Sequence, residues 1–173
     1  IYNNTGAVTY VLTSTISGNV SSGSGGGARN DGATLEFNAV TIANNTALGN
    51  GGGVYAANNV AFKNSIVALN SGANGNDVFG TLTSNDYNLI GIDDLDIFNA
   101  QTNDIEGVDP LLGPLQDNGG TTLTHQLLNG SPAFYAGDSS DTFVDQIGQP
   151  VFGLARDIGA YESQVSLSID EFN

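Results

Sequence analysis

Short runs in which apolar and polar residues alternate recur at a nearly constant interval in the first half of this chain. The segments 11–19, 37–45 and 62–70 each open on an apolar residue, carry Ile or Val five places later and close on Asn. They follow one another after 26 and 25 residues. Alternation with period two predicts β-strands. Self-similarity at a fixed period of this size predicts a solenoid in which each repeat forms one coil.

Glycine triplets at 25–27 and 51–53 mark the same interval. Glycine adopts backbone angles that strain other residues, so we expect the triplets at sharp bends between strands. Asn19, Asn45 and Asn70 occupy one position of successive coils, and we predict that their amides hydrogen-bond to one another along the axis. Helical periodicity and the leucine pattern of leucine-rich repeats are both missing. The resulting prediction is an all-β, parallel β-helix.

The repeat predicts about three coils over residues 1–80 and then decays. Residues 81–108 are predicted to be an acidic last coil or transition region that begins with a strand at 81–83, and residues 109–162 are expected to be an irregular cap of loops and short strands. An uncovered coil would expose a hydrophobic cross-section and unpaired strand edges, so the end of a solenoid must differ from its repeats. Residues 163–173 are predicted to be a strand that folds back or pairs with another chain, because apolar and polar side chains alternate there.

The amino-acid composition limits which binding partners and which cellular compartment are expected for this chain. The net charge is −15 with only three basic residues, so we expect the surface to repel nucleic acid and anionic lipid. No apolar run approaches the roughly 20 residues that a membrane-spanning helix needs, so no membrane insertion is expected. Cysteine is absent, so no disulfide stabilises the fold, as in many bacterial surface proteins.

An excess of carboxylates favours divalent cations, above all calcium, which takes six to eight oxygen ligands. The candidate ligands share a short stretch rich in carboxylates and amides. They are Asp93, Asp94, Asp96, Asp104, Glu106 and Asp109. Neither an EF-hand loop nor the nonapeptide of calcium-binding β-rolls is present. Acids that only keep the loops solvated are therefore the alternative to a calcium site.

Catalytic candidates are few. His125 is the only histidine, and no Gly-x-Ser-x-Gly turn accompanies it. Carboxylates at 93–96 and at 138–145 supply the acid pairs that glycosidases need. A lyase acting on acidic polysaccharides needs basic residues around its substrate, and this chain has only three. We therefore predict no catalytic residue and interpret the acids as structural.

Several motifs in the C-terminal half follow one another in a specific order. They are Asp-Pro-Leu-Leu-Gly-Pro-Leu-Gln-Asp-Asn-Gly-Gly at 109–120, Gly-Ser-Pro-Ala at 130–133, Ala-Gly-Asp at 136–138 and Asp-Ile-Gly-Ala-Tyr-Glu at 157–162. Together with Gly-Gly-Gly-Val-Tyr at 51–55, they closely resemble bacterial choice-of-anchor Q domain proteins. The resemblance implies a right-handed, pectin-lyase-like parallel β-helix on an exported, secreted or cell-surface protein. It implies no catalytic residue.

The sequence departs from that family at two places. Ile147 stands where the family usually has Arg, and Arg156, expected to pair with Asp157, is the only nearby cation. No sorting signal follows Glu162; only a tail of eleven residues does.

The predicted function is that of a non-enzymatic extracellular scaffold, adhesin or fibre subunit. Ile1 and Tyr2 align with the interior of a repeat, so the first coil is expected to be open. Either protomers stack head to tail, with Val165, Leu167 and Ile169 adding a strand to a neighbour, or further coils of a larger chain precede this one. The alternative is a module that binds or cleaves carbohydrate, with a neutral glycan as the ligand.

Overall fold

The computed structural model describes residues 1–164, and in that range it contains thirteen β-strands and no helix. The strands are β1 (Tyr2–Asn3), β2 (Val8–Ser17), β3 (Val20–Ser21), β4 (Ala28–Asn30), β5 (Thr34–Ala43), β6 (Thr46–Ala47), β7 (Val54–Lys63), β8 (Ile66–Ala68), β9 (Val78–Ser84), β10 (Leu89–Ile90), β11 (Ile105–Glu106), β12 (Leu112–Gln116) and β13 (Thr124–Leu127). The three predicted assembly residues of the tail, Val165, Leu167 and Ile169, lie outside the described residues.

Parallel pairing between strands one repeat apart builds a β-solenoid, which confirms the predicted fold. β1 pairs with β4, β4 with β7 and β7 with β9, while β2 pairs with β5 along nearly its whole length. The register places the starts of successive coils at Ile1, Ala28, Val54 and Val78. The stack has about four turns, because β10 and β11 continue the sheet after the repeat has faded from the sequence.

Left-handed backbone conformations recur at equivalent corners of the coils. The first glycine of each triplet has a positive φ, of 75° at Gly25 and 67° at Gly51. The second glycine allows close approach between coils, because a Cβ on Gly26 would lie 2.2 Å from the carbonyl oxygen of Gly52. The predicted bends at the glycine triplets are therefore present, and each glycine in a triplet has its own steric reason.

The interior of the coils is filled by aliphatic and aromatic side chains. The Phe37 and Phe62 rings stack with their centroids 5.5 Å apart. At the end of the stack beyond the fourth coil, Phe98 packs edge-on against Phe62 at 6.1 Å, and Ile97 packs against the same core. The loop between β10 and β11 therefore covers the interior at this end.

Residues 109–164 run along one side of the stack. They are irregular, as expected, apart from an antiparallel pair formed by β12 and β13. Gln146 accepts a hydrogen bond from Thr15 in the first coil, and the backbone N–H of Ala160 donates to Thr41 in the second. Further along, Ile158 shares a buried cluster with Leu89 of the fourth coil. The segment therefore covers a flank of all four coils, whereas the loop before β11 covers the end.

Candidate functional site

Three asparagines at one corner of the coils form a continuous ladder. The side-chain amide of Asn19 donates to Oδ1 of Asn45, and that of Asn45 donates to Oδ1 of Asn70, each at 2.9 Å. The backbone N–H groups of Asn19 and Asn45 donate to the same two oxygens, at 3.0 and 2.9 Å. The amide ladder predicted from the repeat is confirmed, and every link runs in the same direction.

Asp77 ends the ladder. Its Oδ1 accepts both the backbone N–H and the side-chain amide of Asn70 at 2.9 Å, and its Oδ2 accepts the N–H of Ile92 at 2.7 Å. Burial raises the pKa of Asp77 to about 6, although the three N–H donors oppose that shift. Only an acceptor with two free oxygens suits this position, because three donors converge on it and no further asparagine follows.

Asp77 occupies the position that glycine holds in the preceding coils. The register aligns it with Gly27 and Gly53. A Cβ on Gly53 would lie 2.8 Å from the amide nitrogen of Asn70, so glycine leaves room for the ladder where an asparagine fills the corner. Asp77 was not among the residues predicted from the sequence. The available signal was the change from a glycine triplet to Gly-Asn-Asp at 75–77.

The first coil, residues 1–27, leaves the other end of the ladder open. Within residues 1–164, Oδ1 of Asn19 accepts no hydrogen bond, and β2 pairs on one edge only, with β5. The first coil contains no Asp, Glu, Lys or Arg. Several of its large apolar side chains are exposed, namely Ile1, Tyr2, Val8, Tyr10, Leu12 and Val20. The two predicted assembly residues of this coil, Ile1 and Tyr2, are thus both accessible.

A stack of flat side chains runs along the outside of the coils from the same end. Tyr2, Arg29, Tyr55 and Phe79 are in register. The Arg29 guanidinium lies 5.9 Å from the Tyr2 ring centroid and 5.2 Å from that of Tyr55, whose ring stacks on Phe79 at 5.7 Å. A hydrogen bond from Arg29 to Asp31 raises the pKa of Arg29 and fixes the guanidinium in the stack.

Four of the six candidate calcium ligands accept hydrogen bonds from separate partners. Asp94 accepts hydrogen bonds from Asn76, Asp104 from Asn88 and Asp109 from Leu111. Asp93 accepts one from the N–H of Phe98 through one oxygen, and its other oxygen is buried without a partner in the described chain. Burial, with the charges of Asp93, Asp104 and Asp96, raises the pKa of Glu106.

Within residues 1–164, no three carboxylate or imidazole groups are arranged to hold a metal ion. The calcium site stays a prediction.

His125 attaches the β12–β13 pair to the first coil. Its Nε2 lies 2.8 Å from the Ser17 hydroxyl and its Nδ1 lies 2.7 Å from the carbonyl oxygen of Gly113. The imidazole is 3% exposed. The Nε2 contact therefore joins the flanking segment to the first coil, and the Nδ1 contact joins β13 to β12 within that segment.

The carboxylates considered as acid pairs also serve attachment. Asp138 and Asp141 both bind Lys63, at 2.8 and 3.0 Å, and the hydrogen bond from Lys63 is the main cause that lowers the pKa of Asp138 to about 2. Asp145 is buried and accepts the backbone N–H groups of Ile147, Gln149 and Glu162. This arrangement fixes loop geometry.

Arg156 is 1% exposed, and its guanidinium lies 4.2 Å from the centroid of the Phe143 ring. The expected ion pair with Asp157 is wrong: among residues 1–164 Arg156 forms no ion pair, and its Nε and Nη1 have no hydrogen-bond partner. Burial lowers its pKa, against the opposing effect of four nearby carboxylates.

Two carboxylates that follow Arg156 in the chain accept hydrogen bonds from backbone N–H groups and form no ion pair with Arg156. Asp157 accepts those of Tyr135 and Ser163, and Glu162 accepts those of Phe152 and Asp157. Burial raises the pKa of Asp157 to about 6 and that of Glu162 to about 7. Irregular backbone has no ladder partner, and buried carboxylates supply the missing acceptors.

Comparison with protein-family models, with curated proteins and with solved structures finds no match for this chain. The resemblance to choice-of-anchor Q domain proteins therefore rests on the sequence motifs. No helix long and apolar enough to cross a membrane occurs within residues 1–164.

Proposed function

We propose that this chain is a structural, non-enzymatic module of an extracellular or cell-surface protein, which acts as a scaffold, an adhesin or a fibre subunit. The observation that carries the proposal is the first coil. It combines an unpaired edge on the ten-residue strand β2, exposed apolar side chains and no charged residue. Proteins normally protect such edges with charges, proline or bulges, because an unprotected edge pairs with other strands.

The use of the polar groups supports the same function. The asparagine ladder, His125 and the Lys63 ion pairs all join one coil to the next or the flanking segment to the coils. Catalytic groups in contrast need an accessible place beside a substrate. A stack joined in this way suits a load-bearing or surface-displaying element.

In the fibre form of this proposal, a neighbouring protomer covers the first coil, and the strand predicted at 165–169 adds to the free edge of β2. A contact between two different surfaces of the same chain does not close on itself and so generates a filament. Truncation after Glu162 is then expected to abolish filaments while leaving the coils folded.

Electron microscopy and analytical ultracentrifugation of the purified chain test the proposal. The informative variant carries Val8→Lys and Leu12→Lys on the outward side of β2. Thr34→Lys with Asn38→Lys is the matched control, because these residues hold the equivalent positions of β5. We expect fibres or oligomers from the wild type and the control, and monomers from the edge variant. A wild type that is monomeric at every concentration would contradict the assembly role.

A groove on the outer face of the coils favours a second candidate function, the binding of a neutral glycan. It has a volume of about 150 Å³, and its lining includes Tyr10, Glu36, Asn38 and Asn85. An exposed aromatic ring beside amide and carboxylate groups suits the apolar face and hydroxyls of a sugar. A glycan array probed with the wild type and with Tyr10→Ala tests this function. If the wild type binds a glycan and the variant does not, the chain acts as an adhesin. If the wild type binds none, glycan binding is contradicted and the scaffold function is retained.

A further inference from the structure

We propose that the open end of the first coil is a binding site for one more parallel β-coil, supplied by a segment other than residues 1–164, which presents N–H donors to Asn19. This inference rests on the proposed structural function and specifies the partner of the first coil. The occupant is defined by its chemistry: a strand parallel to β2, apolar side chains over the interior, and an asparagine at the ladder position.

The first argument is that the open surface continues an interface that the chain already contains. Each coil has two ends along the axis, and the second coil uses one of them to pair with the first coil. The first coil leaves that same end uncovered, and β2 and β5 are matched residue by residue. Val11 is only partly buried and Ile16 is 9% exposed, whereas their counterparts Phe37 and Ile42 are 1% and 0% exposed. A further coil would give the first coil the burial that the second coil already has.

The second argument is the direction of the ladder. Each asparagine donates its side-chain amide and its backbone N–H to the oxygen of the asparagine in the next coil. Oδ1 of Asn19 is therefore the acceptor that remains at the open end. An asparagine in a parallel coil would match it, because such a residue donates an amide and a backbone N–H together.

The same direction argues against the coils of a second copy, within residues 1–164, as the occupant. Two copies meeting by their first coils would place Asn19 oxygen against Asn19 oxygen, two acceptors without a proton between them. A copy approaching with its opposite end offers no donor to Asn19, because Asp77 there is fully buried and accepts hydrogen bonds, and Phe98 already covers the interior. Neither orientation supplies the donors.

The partner pattern follows from the coils themselves. An asparagine should be preceded by an aliphatic residue three places earlier and by an apolar residue eight places earlier, as in residues 37–45. Glycine should stand at the position of Gly27, because a Cβ there would lie 3.0 Å from the amide nitrogen of Asn45.

An extended chain tests the inference directly. A second copy of residues 28–53 is fused immediately before Ile1, which continues the register because Tyr2 pairs with Arg29. We expect the thermal midpoint to rise by about 5 °C or more, since each added coil of a solenoid contributes an interface. The matched control carries Asn45→Asp in the added copy only, which replaces the side-chain donor by an acceptor. It should lose most of that gain at pH 7.

The outcomes separate the alternatives. No gain from either fusion would overturn the binding site, and equal gains would overturn the role of the ladder. Sedimentation of the unextended chain tests a second copy as the occupant. A dimer that Asn19→Asp disrupts would show that a second copy binds this end. If the fusion is stabilised but the wild-type chain never assembles, this inference is retained and the fibre form of the proposed function is contradicted.

Discussion

The coils and the flanking segment at 109–164 belong to one chain, yet different interactions stabilise them. In the coils, parallel strands and uncharged amides repeat the same contact at each turn. In the flanking segment, buried carboxylates such as Asp145 and Asp157 each accept several backbone N–H groups. In a repeat, identical amide side chains can hydrogen-bond to one another from coil to coil. In irregular loops the backbone N–H groups have no such partner, and carboxylates with two oxygens accept them. Sensitivity to pH should therefore concentrate where the repeat is absent.

The largest effect is expected from Asn45→Ala, which would test how strongly the ladder holds the coils. Asn45 is buried, and its amide also donates to the carbonyl oxygens of Ile16 and Ala43. The variant would leave several buried donors and acceptors unpaired, so we expect a loss of about 3 kcal/mol or more in the free energy of unfolding. Chemical denaturation measures it.

Asn19→Ala is the control for that experiment, because Asn19 holds the equivalent position at the exposed end of the ladder. Its cost should be about 1 kcal/mol or less, since water replaces the lost partners. Equal losses in the two variants would show that burial of the ladder contributes nothing.

An intermediate effect is expected from pH. The folded-state pKa values of Asp157 and Glu162, about 6 and about 7, lie above their ordinary values of 3.8 and 4.5. Between roughly pH 4 and 7 the folded chain therefore binds more protons than the unfolded chain, so stability falls as pH rises through this window. Asp77 in the coils, whose pKa is also raised to about 6, contributes in the same direction, so the free energy of unfolding should decrease between pH 4 and 8.

Denaturation curves at a series of pH values measure this slope, and Glu162→Gln assigns part of it to the flanking segment. The variant should flatten the dependence above pH 5, because Gln does not ionise. Stability that rises from pH 4 to 8 would contradict the assignment of raised pKa values to these groups.

The smallest effect is expected from Lys63→Met, which breaks the ion pairs between the third coil and the flanking segment. The pairs with Asp138 and Asp141 are partly shielded from water, so we expect a loss of about 1 kcal/mol. The pKa of Asp138 is lowered, so this contribution is present above its ordinary pKa of 3.8 and disappears as pH falls through about 2.

Arg29→Met is the comparison for Lys63→Met, since the Arg29–Asp31 pair lies on the outside of the coils. Its loss should be smaller, and 1 M salt should reduce both effects because exposed charges are screened. A larger loss from Arg29→Met would mean that the outer stack with Tyr2 and Tyr55 matters more than attachment of the flank.

The features that the sequence predicted are those that repeat by translation. Strands, glycine bends and the asparagine ladder recur with one period, so equal residues at equal spacing had to become neighbours. The fourth turn was predicted only as a last coil or transition region, because β10 and β11 are two residues each and carry no repeat motif. The Arg156–Asp157 pair was expected from adjacency in the chain, but adjacent side chains need not face each other.

The spacing of residues along the chain is enough to specify a parallel stack of coils, its corners and the line of asparagines along it, because periodicity converts sequence spacing into contacts. The end of the ladder at Asp77, the loop that covers the interior and the packing of the flanking segment follow from contacts in the folded chain. Those contacts join parts of the chain that share no period, such as Thr15 with Gln146, so burial and hydrogen-bond geometry in three dimensions select them.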